Sequence, residues 1–229
     1  RWLAWFFVAM GGALIAIFMI GFHHGEEWAQ LARERVAHLS PWWFLLITPV
    51  TLGTVRYLTL RYVPVSAGSG IPQVMAVTEQ TTSVDKSKTQ LLLSPTGALF
   101  KAVAVCLSMA GGGSAGREGP AIQIGASLLT SWSQPLRKTT IPPRMIVITG
   151  AATGLAAAFS TPFAGVMYAF EEFLWRKRYR ASAIVPITIM VAALTAWFLT
   201  RDRQFFDVVT DGAIAPPWWS MLLLAGFCG

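Results

Sequence analysis

Two short segments, Gly68-Ser69-Gly70-Ile71-Pro72 and Gly116-Arg117-Glu118-Gly119-Pro120, place a proline just after small residues, at the spacing that starts a helix. Proline is tolerated in a first helical turn because the N–H it lacks would have no intrahelical partner there. The other amides of that turn are left unpaired and point forward with the positive end of the helix dipole, which favours an anion. Glycine on either side lets a small ion approach the backbone closely. Two such helix starts in one chain predict a pair of anion seats.

Glu118 adds a second kind of chemistry. An ionised carboxylate at a helix N-terminus is itself an anion, so it competes for the donors a free anion would use. Protonation removes its charge and its claim on them, and proton and anion movements become linked through one side chain.

These segments need elements that carry them, and the composition says where those elements lie. Of 229 residues, 54% are hydrophobic and 13% charged, where a soluble domain carries about 25% charged. Eighteen Lys and Arg against eleven Asp and Glu give +7, but the basic residues fall between long apolar runs. That distribution fits membrane loops and argues against nucleic acid. Residues 2–25 and 36–55 are free of charge and long enough to cross a bilayer, given about 20 residues per span. Pro41, Trp42 and Trp43 sit where an interfacial anchor would. The stretches 91–117 and 119–136 meet around Arg117 and Glu118, at membrane depth. Residues 145–170 are cut by Ser160, Thr161 and Pro162 into two shorter helices, and 181–200 form a last complete span.

The segment opened by residues 68–72 runs only about ten residues to Glu79, too short to cross, and reads as a re-entrant half-helix. Backbone of this kind survives in a bilayer only where protein buries it or it lines a cavity. With a cytoplasmic N-terminus, twelve Lys and Arg fall in inside loops against Arg33, Arg35, Arg201 and Arg203 outside, as the positive-inside rule requires. Lys101 and Arg117 remain within the hydrophobic zone. The number of crossings is odd, so a second half of similar pattern would be inverted, as in many secondary transporters.

GSGIP at 68–72, GREGP at 116–120 and AAFSTPFAGVMYAFEE at 157–172 resemble the CLC family of chloride channels and chloride/proton antiporters, in its bacterial-type N-terminal half. The resemblance implies an all-α membrane protein with an inverted-repeat transporter fold of broken and re-entrant helices. Residues 1–211 would form the first repeat and 212–229 the truncated start of the second, a half that should not conduct alone. It further implies that Gly68, Ser69, Gly70, Ile71 and Pro72 face an inner anion site, with the Ser69 hydroxyl on the central chloride. Gly116, Arg117, Glu118, Gly119 and Pro120 would form the outer site. Glu118 corresponds to the gating glutamate, Glu172 to the inner proton acceptor and Glu171 to its neighbour. The expected activity is chloride/proton antiport, with a passive channel as the alternative. Chloride and protons are the transported partners, the lipid bilayer is the setting, and no cofactor or metal is expected. A homodimer is implied, with contacts from residues 164–198, in a bacterial plasma membrane with the N-terminus cytoplasmic. Gln73, Val74, Met75 and Ala76 depart from relatives that carry acids after GSGIP.

Plainer readings stand beside these. Glu118 could merely neutralise Lys101 or Arg117, Ser69 could be a simple helix cap, and Glu172 could pair with Arg176 at i+4. Gly150 and Gly154 read as a close helix contact. Gly112-Gly113-Ser114-Ala115-Gly116 satisfies GxSxG, the elbow of serine hydrolases. Its three possible bases, His23, His24 and His38, lie at a first external loop or its edges, and Ser114 precedes a helix rather than following a strand. A transporter, not an enzyme, is expected.

Overall fold

The computed structural model describes residues 2–78, 86–136, 141–159, 161–168, 171 and 183–200. Among them all regular structure is helical. In chain order the helices are α1 (Trp2–Leu39), α2 (Phe44–Tyr62), α3 (Ile71–Thr78), α4 (Lys86–Leu92), α5 (Pro95–Ala110), α6 (Glu118–Trp132), α7 (Pro143–Phe159), α8 (Pro162–Tyr168) and α9 (Ile184–Thr200).

The first expected span is longer than its apolar run. α1 continues through Glu26, Glu27, Arg33 and Glu34 to Leu39. At 38 residues it is about 57 Å long, against a hydrocarbon core of about 30 Å, so it must tilt or project beyond it. His23, His24 and His38 therefore belong to a helix and not to a loop. The second span is shifted from 36–55 to 44–62. Ser40 is extended at φ −171°, ψ 129°, as the residue before a proline prefers, and Pro41–Trp43 form a 3-10 turn before α2 begins.

Local signals place the remaining ends. Ser94 caps α5, accepting a hydrogen bond from the Gly97 amide at 3.0 Å, with Pro95 in the first turn. The same helix stops at Ala110, earlier than the apolar stretch to 117, because Gly111 and Gly112 end it. Gly112 is at φ +85°, and the amides of 111, 112 and 113 return to carbonyls of 107, 109 and 108. Thr48 of α2 donates to the Gly111 carbonyl at 2.7 Å, which ties α2 to this helix end. α7 ends at Phe159 and α8 begins at Pro162, so the apolar run is divided as expected.

The core lies where α1, α6, α7 and α9 meet, around Val8, Ile15, Ile124, Leu129, Ala152 and Ile189. α6 and α7 are in backbone contact. A Cβ added to Gly125 would strike the Gly150 carbonyl and lie 2.7 Å from Gly154 Cα, and one on Gly150 would lie 2.6 Å from the Gly125 carbonyl oxygen. The expectation of close packing at Gly150 and Gly154 is met, with Gly125 as the partner. Among the described residues, three helical stretches, at 4–39, 41–62 and 89–110, are long and apolar enough to cross a membrane. The repeat boundary at 211 and everything after 200 lie outside the described residues.

Candidate functional site

The 68–72 turn is built from three directions. Gly68 and Gly70 adopt φ +80° and +104°, conformations that favour glycine, and they aim the chain into α3. The carbonyl of Gly70 accepts the first helical bond from Val74 at 3.3 Å, so the amides ahead of Val74 have no partner within the helix. Gln73 reaches back and donates to the carbonyls of Val65 and Ala67 at 3.1 and 2.6 Å. From α5 the buried Lys101 ammonium, with 3% of the residue exposed, donates to the Gly68 carbonyl at 3.0 Å.

The 116–120 turn is built in the same way. Ala121 donates to the Arg117 carbonyl at 2.9 Å, which opens α6 and leaves the Glu118 and Gly119 amides without intrahelical partners. Gly119 and Pro120 are buried while Gly116 and Glu118 are exposed.

The fold brings the two turns into contact. A Cβ on Gly119 would collide with the Ser69 carbonyl oxygen and lie 2.9 Å from Ser69 Cβ. One on Gly70 would lie 2.8 Å from both the Gly119 carbonyl oxygen and Gln123 Cβ. Glycine at 70 and 119 is thus required by the approach of one helix start to the other. Ser69 and Glu118 are both exposed beside that contact, where α3 and α6 begin with amides that have no partner within their helices. Such a place attracts negative charge. Glu172 lies outside the described residues, while Glu171 is exposed.

The cations that could have merely neutralised Glu118 have other partners. Lys101 holds the Gly68 carbonyl. The Arg117 guanidinium donates to Glu26, to the Ala158 carbonyl at 3.1 Å and to His23 at 3.3 Å. Read alone, the sequence assigns Glu26 no role, since it lies just past the charge-free run 2–25, and marks His23 only as a possible base for Ser114. An acid directly after a long charge-free run was the available signal, since an acid at membrane depth needs a partner.

A structural role for Lys101, holding the Gly68 carbonyl, can be told apart from an electrostatic one. Lys101→Met keeps the length of the side chain but removes its charge and its bond to Gly68. Chloride affinity of the full-length protein is expected to fall about tenfold, the scale of one partly screened charge acting over roughly 10 Å. Isothermal titration with chloride measures it, and unchanged affinity would make Lys101 a packing residue only.

Ser114 sits between two helices, α5 and α6, without the strand-to-helix turn that the hydrolase elbow requires.

Among solved structures, a slow cyanobacterial Cl-/H+ antiporter superposes with a TM-score of 0.72 at 24% identity, covering 98% of this chain and 53% of that one. A CLC-type fluoride/proton antiporter gives 0.70 at 23%, covering 99% and 54%. One fold thus carries different halides, so ion choice is a property of the site and not of the fold. The curated H(+)/Cl(-) exchange transporters ClcA of Vibrio vulnificus strains YJ016 and CMCP6 are each 29% identical over 239 residues, covering 98% of this chain and 49% of theirs. The chain therefore spans about half the length of these relatives, which are transporters rather than enzymes. A family model described as voltage gated chloride channel matches residues 51–229, which include both turns. With that match over most of its length, on the fold described above, the chain belongs to the CLC family of voltage-gated chloride channels and chloride/proton antiporters.

Proposed function

We propose that this chain supplies the first of two halves of a chloride/proton antiporter, with residues 68–72 at the inner anion site and 116–120 at the outer one. Glu118 is the gate that exchanges with chloride, and Glu172 receives protons from the opposite side. The observation that carries this reading is the contact of Ser69 with Gly119, which sets two helix N-termini side by side. Similarity to curated H(+)/Cl(-) exchangers supports the coupled activity. The inverted second repeat would complete the pathway.

The complete transporter would work as a homodimer in a bacterial plasma membrane. Support for the dimer comes from α8 and α9, where Phe163, Met167, Trp197 and Phe198 are 81%, 62%, 68% and 75% exposed, an apolar surface of the kind that marks an interface in protein or lipid.

In proteoliposomes holding the full-length protein, a chloride gradient should drive protons uphill. Glu172→Gln should abolish the proton flux, to below detection, while chloride still moves. Chloride flux without any pH change in the wild type would overturn the antiporter in favour of a passive channel.

A further inference from the structure

Between α1 and α5 runs a groove of about 550 Å³, within the size range of sites that take apolar ligands. Both helices belong to stretches long and apolar enough to cross a membrane, so the groove lies at membrane depth. Small residues keep it open. Gly25, Ala29 and Ala102 line it, and a Cβ on Gly21 would meet nothing within 4 Å. Leu99, Val103 and Leu107 of α5 and Trp28 of α1 border it, all four exposed. From Phe18 to Ala32 it follows α1 for about 21 Å, more than the hydrocarbon depth of one leaflet, about 15 Å. Empty space beside apolar walls forfeits dispersion contacts, which favours an apolar occupant.

The charges at its end say which occupant. Residues four or seven apart share a helical face, which places Arg33 in line with Gly25 and Ala29, and Arg35 in line with Gly21 and Trp28. Both arginines are exposed, and among the described residues neither forms an ion pair. The acids of this stretch stand elsewhere. Glu27 and Glu34, also seven apart, lie on the opposite face, and Glu26 is buried against Arg117. The stripe is therefore apolar for about four turns and positive at its end, with Trp28 near the boundary, as Trp is at headgroup level.

An amphiphile with an apolar chain and an anionic head complements both parts. Guanidinium groups hold phosphate through paired, charge-assisted hydrogen bonds. A transmembrane helix packed on Gly21 and Gly25 would fill the apolar part but give the two arginines no counterpart.

We propose that this groove holds one acyl chain of an anionic phospholipid whose phosphate sits between Arg33 and Arg35. The inference stands apart from the reading of the two turns as anion seats.

Native mass spectrometry of the full-length protein, titrated with phosphatidylglycerol or with phosphatidylcholine of the same chains, tests it. Gly21→Leu fills the groove from α1 and Val103→Trp from α5. Each should retain one phosphatidylglycerol per chain fewer than the wild type and melt with it. Arg33→Gln and Arg35→Gln should each weaken phosphatidylglycerol binding about fivefold, the scale of one basic residue at an anionic surface, and leave phosphatidylcholine binding unchanged. Arg61→Gln, in the last turn of α2, removes a charge elsewhere and should change neither lipid. The proposal is overturned if the groove variants keep the full lipid count, or if both arginine variants behave as Arg61→Gln does. A full lipid count together with a large fall in melting temperature would put a protein helix in the groove instead. Should the groove variants fail to fold, the arginine variants decide the matter alone.

Discussion

Glu118→Gln is expected to leave chloride moving and to stop proton transport altogether. The substitution keeps the shape of the side chain but removes both the charge that competes for the free amides of 118 and 119 and the site that carries a proton. Chloride flux should become insensitive to pH across the range where carboxylates titrate. Proton flux, followed with a pH electrode under a chloride gradient, should fall below detection. The structure makes this a sharp test, because Lys101 and Arg117 are engaged with Gly68 and with Glu26, His23 and Ala158. Had Glu118 served only to neutralise either of them, the same substitution would destabilise the protein and reduce chloride and proton flux together. Proton transport that persists in Glu118→Gln would remove this residue from the pathway.

The second large effect is expected at Gly125. Its missing side chain lets α6 lie on α7 with the Gly150 carbonyl and the Gly154 backbone directly opposite. Backbone atoms cannot rotate away as a side chain does, so Gly125→Ala must push the helices apart. Overpacking of a dense core costs about 1–3 kcal/mol and sometimes more. The expected result is a fall in apparent unfolding temperature of roughly 5–10 °C. Chloride affinity should fall with it, because α6 begins at the 116–120 turn. Gly53→Ala on α2 is the control, since a Cβ there meets nothing within 4 Å. Equal melting of the two variants would show that the α6–α7 contact is looser than its geometry implies.

The parts of this arrangement that are legible in the sequence are those fixed by neighbouring residues. Gly-Pro spacing announces the starts of α3 and α6, Thr161-Pro162 announces the break before α8, and Gly150 with Gly154 announces a close contact, because each depends on backbone preferences within a turn or two. The length of α1 is not legible in the same way. Hydropathy marks where a chain meets lipid, whereas helix propensity runs on through Glu, Gln, Ala, Leu and Arg to residue 39. The anchoring of Arg117 is hidden for a different reason. Glu26 lies 91 residues away, and only the packing of α1 on α6 brings the two together. The meeting of the two turns is of this long-range kind as well. Each was readable alone, and their abutment depended on a buried face of α6 that no local pattern encodes.

That abutment has a mechanical consequence. Where Gly119 rests on Ser69, main chain bears directly on main chain, with no rotatable group between them to absorb a displacement. A shift of either loop is passed to the other undamped. In the proposed transporter, the stride between the two anion seats would then be set by the skeleton itself, and substitutions on the walls would alter how long the ion waits at each seat more than how far it has to step.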